Sequence, residues 1–214
     1  MPFNLFRRGR GDEAREQAPE PPPDGVRQLA FDGFTEEWRL VGHMAIRGRL
    51  SDTLNRREPI PISDVAWAPV DGSGSFTPVP GLKAVDPYDL IVVAAGEGSL
   101  PEADEAHRSA LRVHKVAYDL ALDAPPFRVL GTVQLFPGAE PLQLLDRSTE
   151  LFVPVIDAVV LYGRLQVGDP HTKVVLVNRS YVRGIEQIDR RTLEAPRPLP
   201  GQPLGGTSWT DRSR

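Results

Sequence analysis

Ile60-Pro61-Ile62-Ser63-Asp64-Val65 is answered later in the chain by Val153-Pro154-Val155-Ile156-Asp157-Ala158. Each block alternates apolar and other residues, as a half-buried strand does, and then slips at the residues before and at its aspartate. A one-residue slip in such a run marks a β-bulge or a strand break. Working outward, Trp38-Arg39-Leu40-Val41-Gly42 matches Phe127-Arg128-Val129-Leu130-Gly131, and Ala30-Phe31-Asp32 matches Ala117-Tyr118-Asp119. Asp86-Pro87 followed by Leu90-Ile91-Val92-Val93 is set beside Asp169-Pro170 followed by Lys173-Val174-Val175-Leu176. Four blocks in one order read as a tandem pair of one small unit.

The expected fold is mainly β: two tandem β-barrel or β-sandwich-like repeats, one short linking helix and disordered termini. The boundaries fall at a disordered arm over 1–25, repeat 1 over 26–97, a linker helix over 98–112, repeat 2 over 113–189 and a proline-rich tail over 190–214. Strands are expected at 41–50, 59–70 and 90–95, then at 129–136, 151–162, 173–177 and 181–188, with a turn at Asn178-Arg179-Ser180. Ser99 and Glu102 form a capping pair for the linker helix, with Pro101 in its first turn. A short helical turn is expected at Ser51–Asn55, capped by Ser51 or Asp52, with Leu54 pointing into the core. The last strand of repeat 1 would leave an open edge, to be covered by the Glu102–Arg112 helix or by Val113–Leu120.

Units of about 70 residues are close to the lower limit for an independent core, so packing one on the other would help both. The apolar fraction is 40%, the charged fraction 25% and the net charge −4. That balance lacks the clustered cationic field of a strong non-specific nucleic-acid binder. The chain has no cysteine, which excludes disulfides, thiolate metal sites and cysteine nucleophiles. No apolar run reaches the length of a membrane span. Met1 to Arg10 is not read as a signal peptide, because its charges follow its few apolar residues. A cytoplasmic location is the expectation.

No catalytic motif stands out, and the chain is read as not an enzyme, with no cofactor and no metal. Gly96-Glu97-Gly98-Ser99 after an apolar strand has the layout of a phosphate cradle, but Leu100-Pro101-Glu102 follows without the needed cation. The histidines at 43, 107, 114 and 171 lack the spacing of a metal site. Asp64 with Asp157, Asp32 with Asp119, and Asp86 with Asp169 occupy matched places, which shared turn chemistry explains.

Arg47, Arg49, Arg56 and Arg57 form the one basic cluster and are the candidate ligand-binding residues for an anion. Phe3 and Phe6, beside Arg7, Arg8 and Arg10, and the lone Trp209 are candidate docking anchors in the two arms.

Gly48-Arg49-Leu50-Ser51-Asp52-Thr53-Leu54-Asn55, then Ile60 to Val65, and later Val175-Leu176-Val177-Asn178-Arg179, resemble a small uncharacterised bacterial β domain with a Leu-Ser-Asp-x-Leu-Asn loop and a Val-Asn-Arg strand. The order also has a weak Sm-like likeness, which implies single-stranded RNA binding. On this reading each copy keeps half of the pattern: the first lacks the Asn-Arg turn and the second lacks the Ser-Asp-x-Leu-Asn loop.

The leading functional expectation is a scaffold or adaptor that binds another protein. The alternatives are an anionic nucleotide-sensing module at the arginine cluster and an Sm-like RNA binder. Asp71-Gly72-Ser73 begins the signature of PilZ-type cyclic dinucleotide receptors, but Phe76 stands where that signature needs glycine.

Overall fold

A computed structural model describes residues 25–96, 115–142, 144, 149–170 and 172–189. Both arms and the linker expected over 98–112 lie outside these residues. The fold is mainly β, as the alternation predicts. The first half contains β1 (Val26–Phe34), β2 (Trp38–Arg47), α1 (Leu50–Leu54), β3 (Ile60–Pro69), β4 (Thr77–Pro78), β5 (Ala84–Val85) and β6 (Val92–Ala95). The second contains β7 (Val116–Ala124), β8 (Phe127–Leu135), β9 (Phe152–Tyr162), β10 (Leu165–Val167), β11 (Val174–Asn178) and β12 (Gly184–Gln187). All pairings are antiparallel, and the path runs β12-β7-β8-β9-β11-β6-β1-β2-β3-β4, with β10 on β9 and β5 on β3. The sheet is open, so neither half closes into a barrel among the described residues.

Each half bends in one place by one device. Opposite Gly42 the ladder between β2 and β3 shifts by one residue, and opposite Gly131 the ladder between β8 and β9 does the same. The extra residues adopt the left-handed conformation at Asp64 (φ 52°) and Asp157 (φ 47°), which aspartate tolerates better than most side chains. The facing glycines are required by space. A Cβ on Gly42 would lie 2.8 Å from the Ser63 carbonyl oxygen, and one on Gly131 would lie 2.6 Å from a Val155 methyl. The slip read in the sequence is therefore a bulge, and the paired aspartates serve it.

The registers revise two of the matched blocks. Phe34 faces Arg39 across the β1–β2 hairpin, and Asp123 faces Arg128 across the β7–β8 hairpin. Ala121, not Asp119, thus holds the place of Asp32. The block at Asp86 also moves. Val85 pairs with Ile60 as Val177 pairs with Val153, so β5 corresponds to β11. Next, the Asp86 carboxylate accepts a hydrogen bond from the Tyr88 N–H, as the Asn178 side chain does from that of Ser180, and each caps a 3-10 turn. β6 then pairs with β1 as β12 pairs with β7. The first half therefore has a capped 3-10 turn and a following strand at these places, with Asp86 where the second half has Asn178.

The edge of β6 is covered by β11; of the expected covers, residues 116–120 belong to β7 and pair with β8 and β12, and the rest lies outside the described residues. The β6–β11 ribbon becomes a wall shared by two cores. Val93 and its cross-strand partner Leu176 face a core with Met44, Ile46, Leu54 and Phe152. Val92, Ala94, Val175 and Val177 face the other, with Leu122, Val129 and Val155. Alternation puts successive side chains on opposite faces, so a strand buried on both sides must be apolar throughout. Each fully buried valine or leucine here contributes about 1.5–3 kcal/mol.

Asparagines fasten the halves at two points. Asn178 is fully buried; its Nδ2 donates to the Leu90 carbonyl at 2.8 Å and to that of Pro87 at 3.3 Å. Asn55, at the end of α1, accepts from the Phe152 N–H at 2.8 Å. These are the asparagines of the two motif fragments. α1 forms where the short turn was expected and buries Leu54, but it starts at Leu50 and has no side-chain cap. Within the helix, the Thr53 hydroxyl lies 3.4 Å from the Arg47 and Arg49 carbonyl oxygens, to which it can donate, and 3.4 Å from the Arg47 N–H, from which it can accept.

Candidate functional site

Past Met44↔Ile62, the ladder between β2 and β3 ends and the strands diverge. Pro61 helps to end it, since proline has no N–H to give a ladder. The opening is a cleft of about 450 Å³ lined by Gln28, Arg47, Thr53, Arg56, Glu58 and Pro61, among others. Past Thr132↔Ile156, β8 and β9 diverge in the same way at Pro154. That cleft, of about 400 Å³, is lined by Lys115, Gln134, Phe136, Glu140, Glu150 and Pro154, among others. The registers put Phe136 at the place of Arg47. The first cleft presents two arginines and one glutamate; the second presents one lysine, two glutamates and an aromatic ring. In the second, the Lys115 ammonium lies 5.2 Å from the centre of the Phe136 ring.

The four arginines singled out in the sequence do not converge. Arg47 and Arg56 line the first cleft. Arg49 is the residue before α1. Arg57 has φ 62° and donates to the Thr149 carbonyl at 2.7 Å, which makes it a tie between the halves. Phe3, Phe6 and Trp209 lie outside the described residues, as do His107, His114 and His171. His43 is exposed, with Nδ1 3.4 Å from the Asp64 carboxylate. Among the described residues no three histidine, aspartate or glutamate side chains converge as a metal site. Asp71-Gly72-Ser73 forms a turn in which the Ser73 N–H donates to the Asp71 carboxylate at 2.9 Å. Hydrogen bonds from the Ser73 side chain and then from its backbone N–H hold the Asp71 carboxyl below the usual range, so local turn geometry accounts for the motif.

A different feature, not singled out in the sequence, is the pair Trp38 and Trp67. Their rings stack with centroids 5.1 Å apart and planes 25° from parallel. They end the core-facing rows of β2 and β3, yet they are 37% and 36% exposed. The same positions in β8 and β9 hold Phe127 and Val160, which are 2% and 5% exposed. Phe34 of the first half packs edge-on against Phe127 with centroids 5.7 Å apart, and Tyr162 adds a second ring at 5.9 Å. One row end is roofed by its neighbour; the equivalent end is open. The signal was present in the sequence, where Trp38 stands opposite Phe127, but a lone tryptophan reads first as core.

Arg39 and Arg128 hold equivalent places and differ in setting. Arg39 grips Asp32 through two hydrogen bonds of 2.9 and 2.7 Å, and its guanidinium lies 5.5 Å from the ring centres of both Phe34 and Phe76. Burial raises the Asp32 carboxyl above its ordinary value, against the opposing pull of Arg39. Arg128 is more exposed, and it bridges Asp123 at 3.1 Å and Glu186 at 2.9 Å. No helix among the described residues is long and apolar enough to cross a membrane.

No protein-family model, curated protein or solved structure matches this chain.

Proposed function

We propose that the chain is a non-enzymatic adaptor built from two tandem copies of one small β unit, and that its first unit holds a partner protein on the Trp38–Trp67 face. The observation that carries this is the contrast at one position: the row end is roofed in the second half and open in the first. Tryptophan combines large apolar area with little side-chain entropy to lose, so it is over-represented among residues that dominate interfaces. A stacked, rigid pair has already met part of that cost. Phe3, Phe6 and Trp209 would add contacts from the arms, in a cytoplasmic setting. The test is quantitative co-purification of the full chain with Trp38→Ala and Trp67→Ser variants. A partner held by the wild type and lost by both variants, at unchanged thermal unfolding, supports the reading; equal capture by all three overturns it.

A second reading has its own observation. Arg47 and Arg56, though not Arg49 or Arg57, share the first cleft, which has room for an anionic nucleotide. Ligand binding must raise stability, so a nucleotide thermal-shift screen that moves wild type but not Arg47→Ala/Arg56→Ala would favour it. RNA binding draws less support, because exposed Glu36 and Glu37 lie in the hairpin that presents Trp38 and would repel a phosphate backbone.

A further inference from the structure

We infer that, when no partner protein is bound, the Trp38–Trp67 face is occupied by a segment of this same chain, Arg197-Pro198-Leu199-Pro200-Gly201-Gln202-Pro203. The inference rests on reading that face as a docking surface, and it names what docks. Three observations lead to it.

The first is what does not fit. In the second half the row end is roofed by Phe34. A second molecule could roof the open end by stacking in the same manner only if its second half offered an apolar residue at the place of Phe34. That place is Asp123, tied to Arg128, which also holds Glu186. Roofing by this surface would put ionised groups against indole rings. The geometry that joins the two halves therefore does not continue from molecule to molecule.

The second is shape. Two near-parallel indoles make a ridge, and the residue paired with Trp38 across the ladder is Pro69. Exposed aromatic side chains line the surfaces that take polyproline helices, which arrive already ordered and so lose little entropy on docking. A polyproline helix has three residues per turn, so Arg197, Pro200 and Pro203 fall along one edge of the segment.

The third is charge. Glu36 and Glu37 immediately precede Trp38 and are exposed, and exposed Asp71 follows shortly after β3. Arg197, one turn before Pro200, supplies the complementary cation.

The experiment uses the full chain carrying Trp209→Phe, so that emission comes from Trp38 and Trp67 alone. Acrylamide quenching is compared with and without Pro200→Ala/Pro203→Ala, and separately with Arg197→Glu. A docked tail predicts a roughly twofold rise in the quenching constant when the prolines are removed, and a smaller rise for Arg197→Glu. A synthetic peptide covering residues 193–206 should restore the protection. Protection that persists on a roughly hundredfold dilution assigns the segment to its own molecule, and protection lost on dilution assigns it to a second copy; either outcome supports the segment as occupant. An unchanged quenching constant in both tail variants, with no effect of the peptide, overturns the inference. Partner capture that still depends on Trp38 and Trp67 in that case would leave the adaptor reading standing.

Discussion

At the bend between their second and third strands, the two halves are built alike: a glycine faces an aspartate in the left-handed conformation, and the ladder slips by one. At the far end of the same strands they part. The second half buries Phe127 and Val160 under Phe34, whereas the first leaves Trp38 and Trp67 in solvent. Shared geometry sits where the backbone has few solutions. Divergence sits where the surroundings differ, because one end has a neighbour and the other has none.

The sharpest way to break that comparison is to truncate both row ends. Phe127→Ala should cost about 3–5 kcal/mol, the range for deleting a buried aromatic ring. Trp38→Ala, at the equivalent position, should cost less, about 2 kcal/mol, since more than a third of the residue is already in solvent. Urea unfolding of the two variants reads the difference, and equal costs would show that the open end is not open. Next come the bends. Gly131→Ala and Gly42→Ala should each cost about 1–3 kcal/mol, because the added methyl meets backbone in both strands. The cost should be larger at Gly131, where a Val155 methyl crowds the site as well.

The two turn caps should separate more mildly. Asn178→Ala should cost about 2 kcal/mol, because it removes the 2.8 Å side-chain donor to the buried Leu90 carbonyl and the cap on the Ser180 N–H. Asp86→Ala should cost about 1 kcal/mol, as it loses an exposed cap. The smallest expected effect is a slope. The folded-state pKa of Asp32 is raised, so the native state holds its proton to higher pH than the unfolded chain does. Its ionisation therefore removes stability as pH rises from the unfolded carboxyl value, about 3.9, through the folded one. In melting curves from about pH 3 to about pH 7, wild type should lose ground to Asp32→Asn over that window; a wild type that gains ground would refute the assignment.

How much of this was legible depends on where each residue's constraint originates. The bulges were readable because a period of two cannot slip without moving side chains to the wrong face. The α1 turn was readable from Leu50 and Leu54, but its start was not, because the helix begins one residue before Ser51 and puts Arg49, which caps nothing, at the N-cap position. β6 was set beside the wrong strand because burial rewrote its composition. Lodged between β1 and β11, it is apolar on both faces, while its counterpart β12 lies at a sheet edge and reads Gly-Ile-Glu-Gln. The Asp-Pro pair at Asp169 matched Asp86-Pro87 in chemistry but not in place. The arginine cluster shows the remaining limit. Four residues close in sequence straddle α1, so two enter the cleft and one turns away to Thr149.

The ribbon of β6 and β11 has one more consequence. Val92 and Val93 are joined by a single peptide bond, yet their methyl groups sit in different cores. Isotope labels on these two side chains would watch two bodies from one point in the chain. If the halves loosen together on heating, the two signals fade together; if one half melts first, neighbouring residues will report different temperatures.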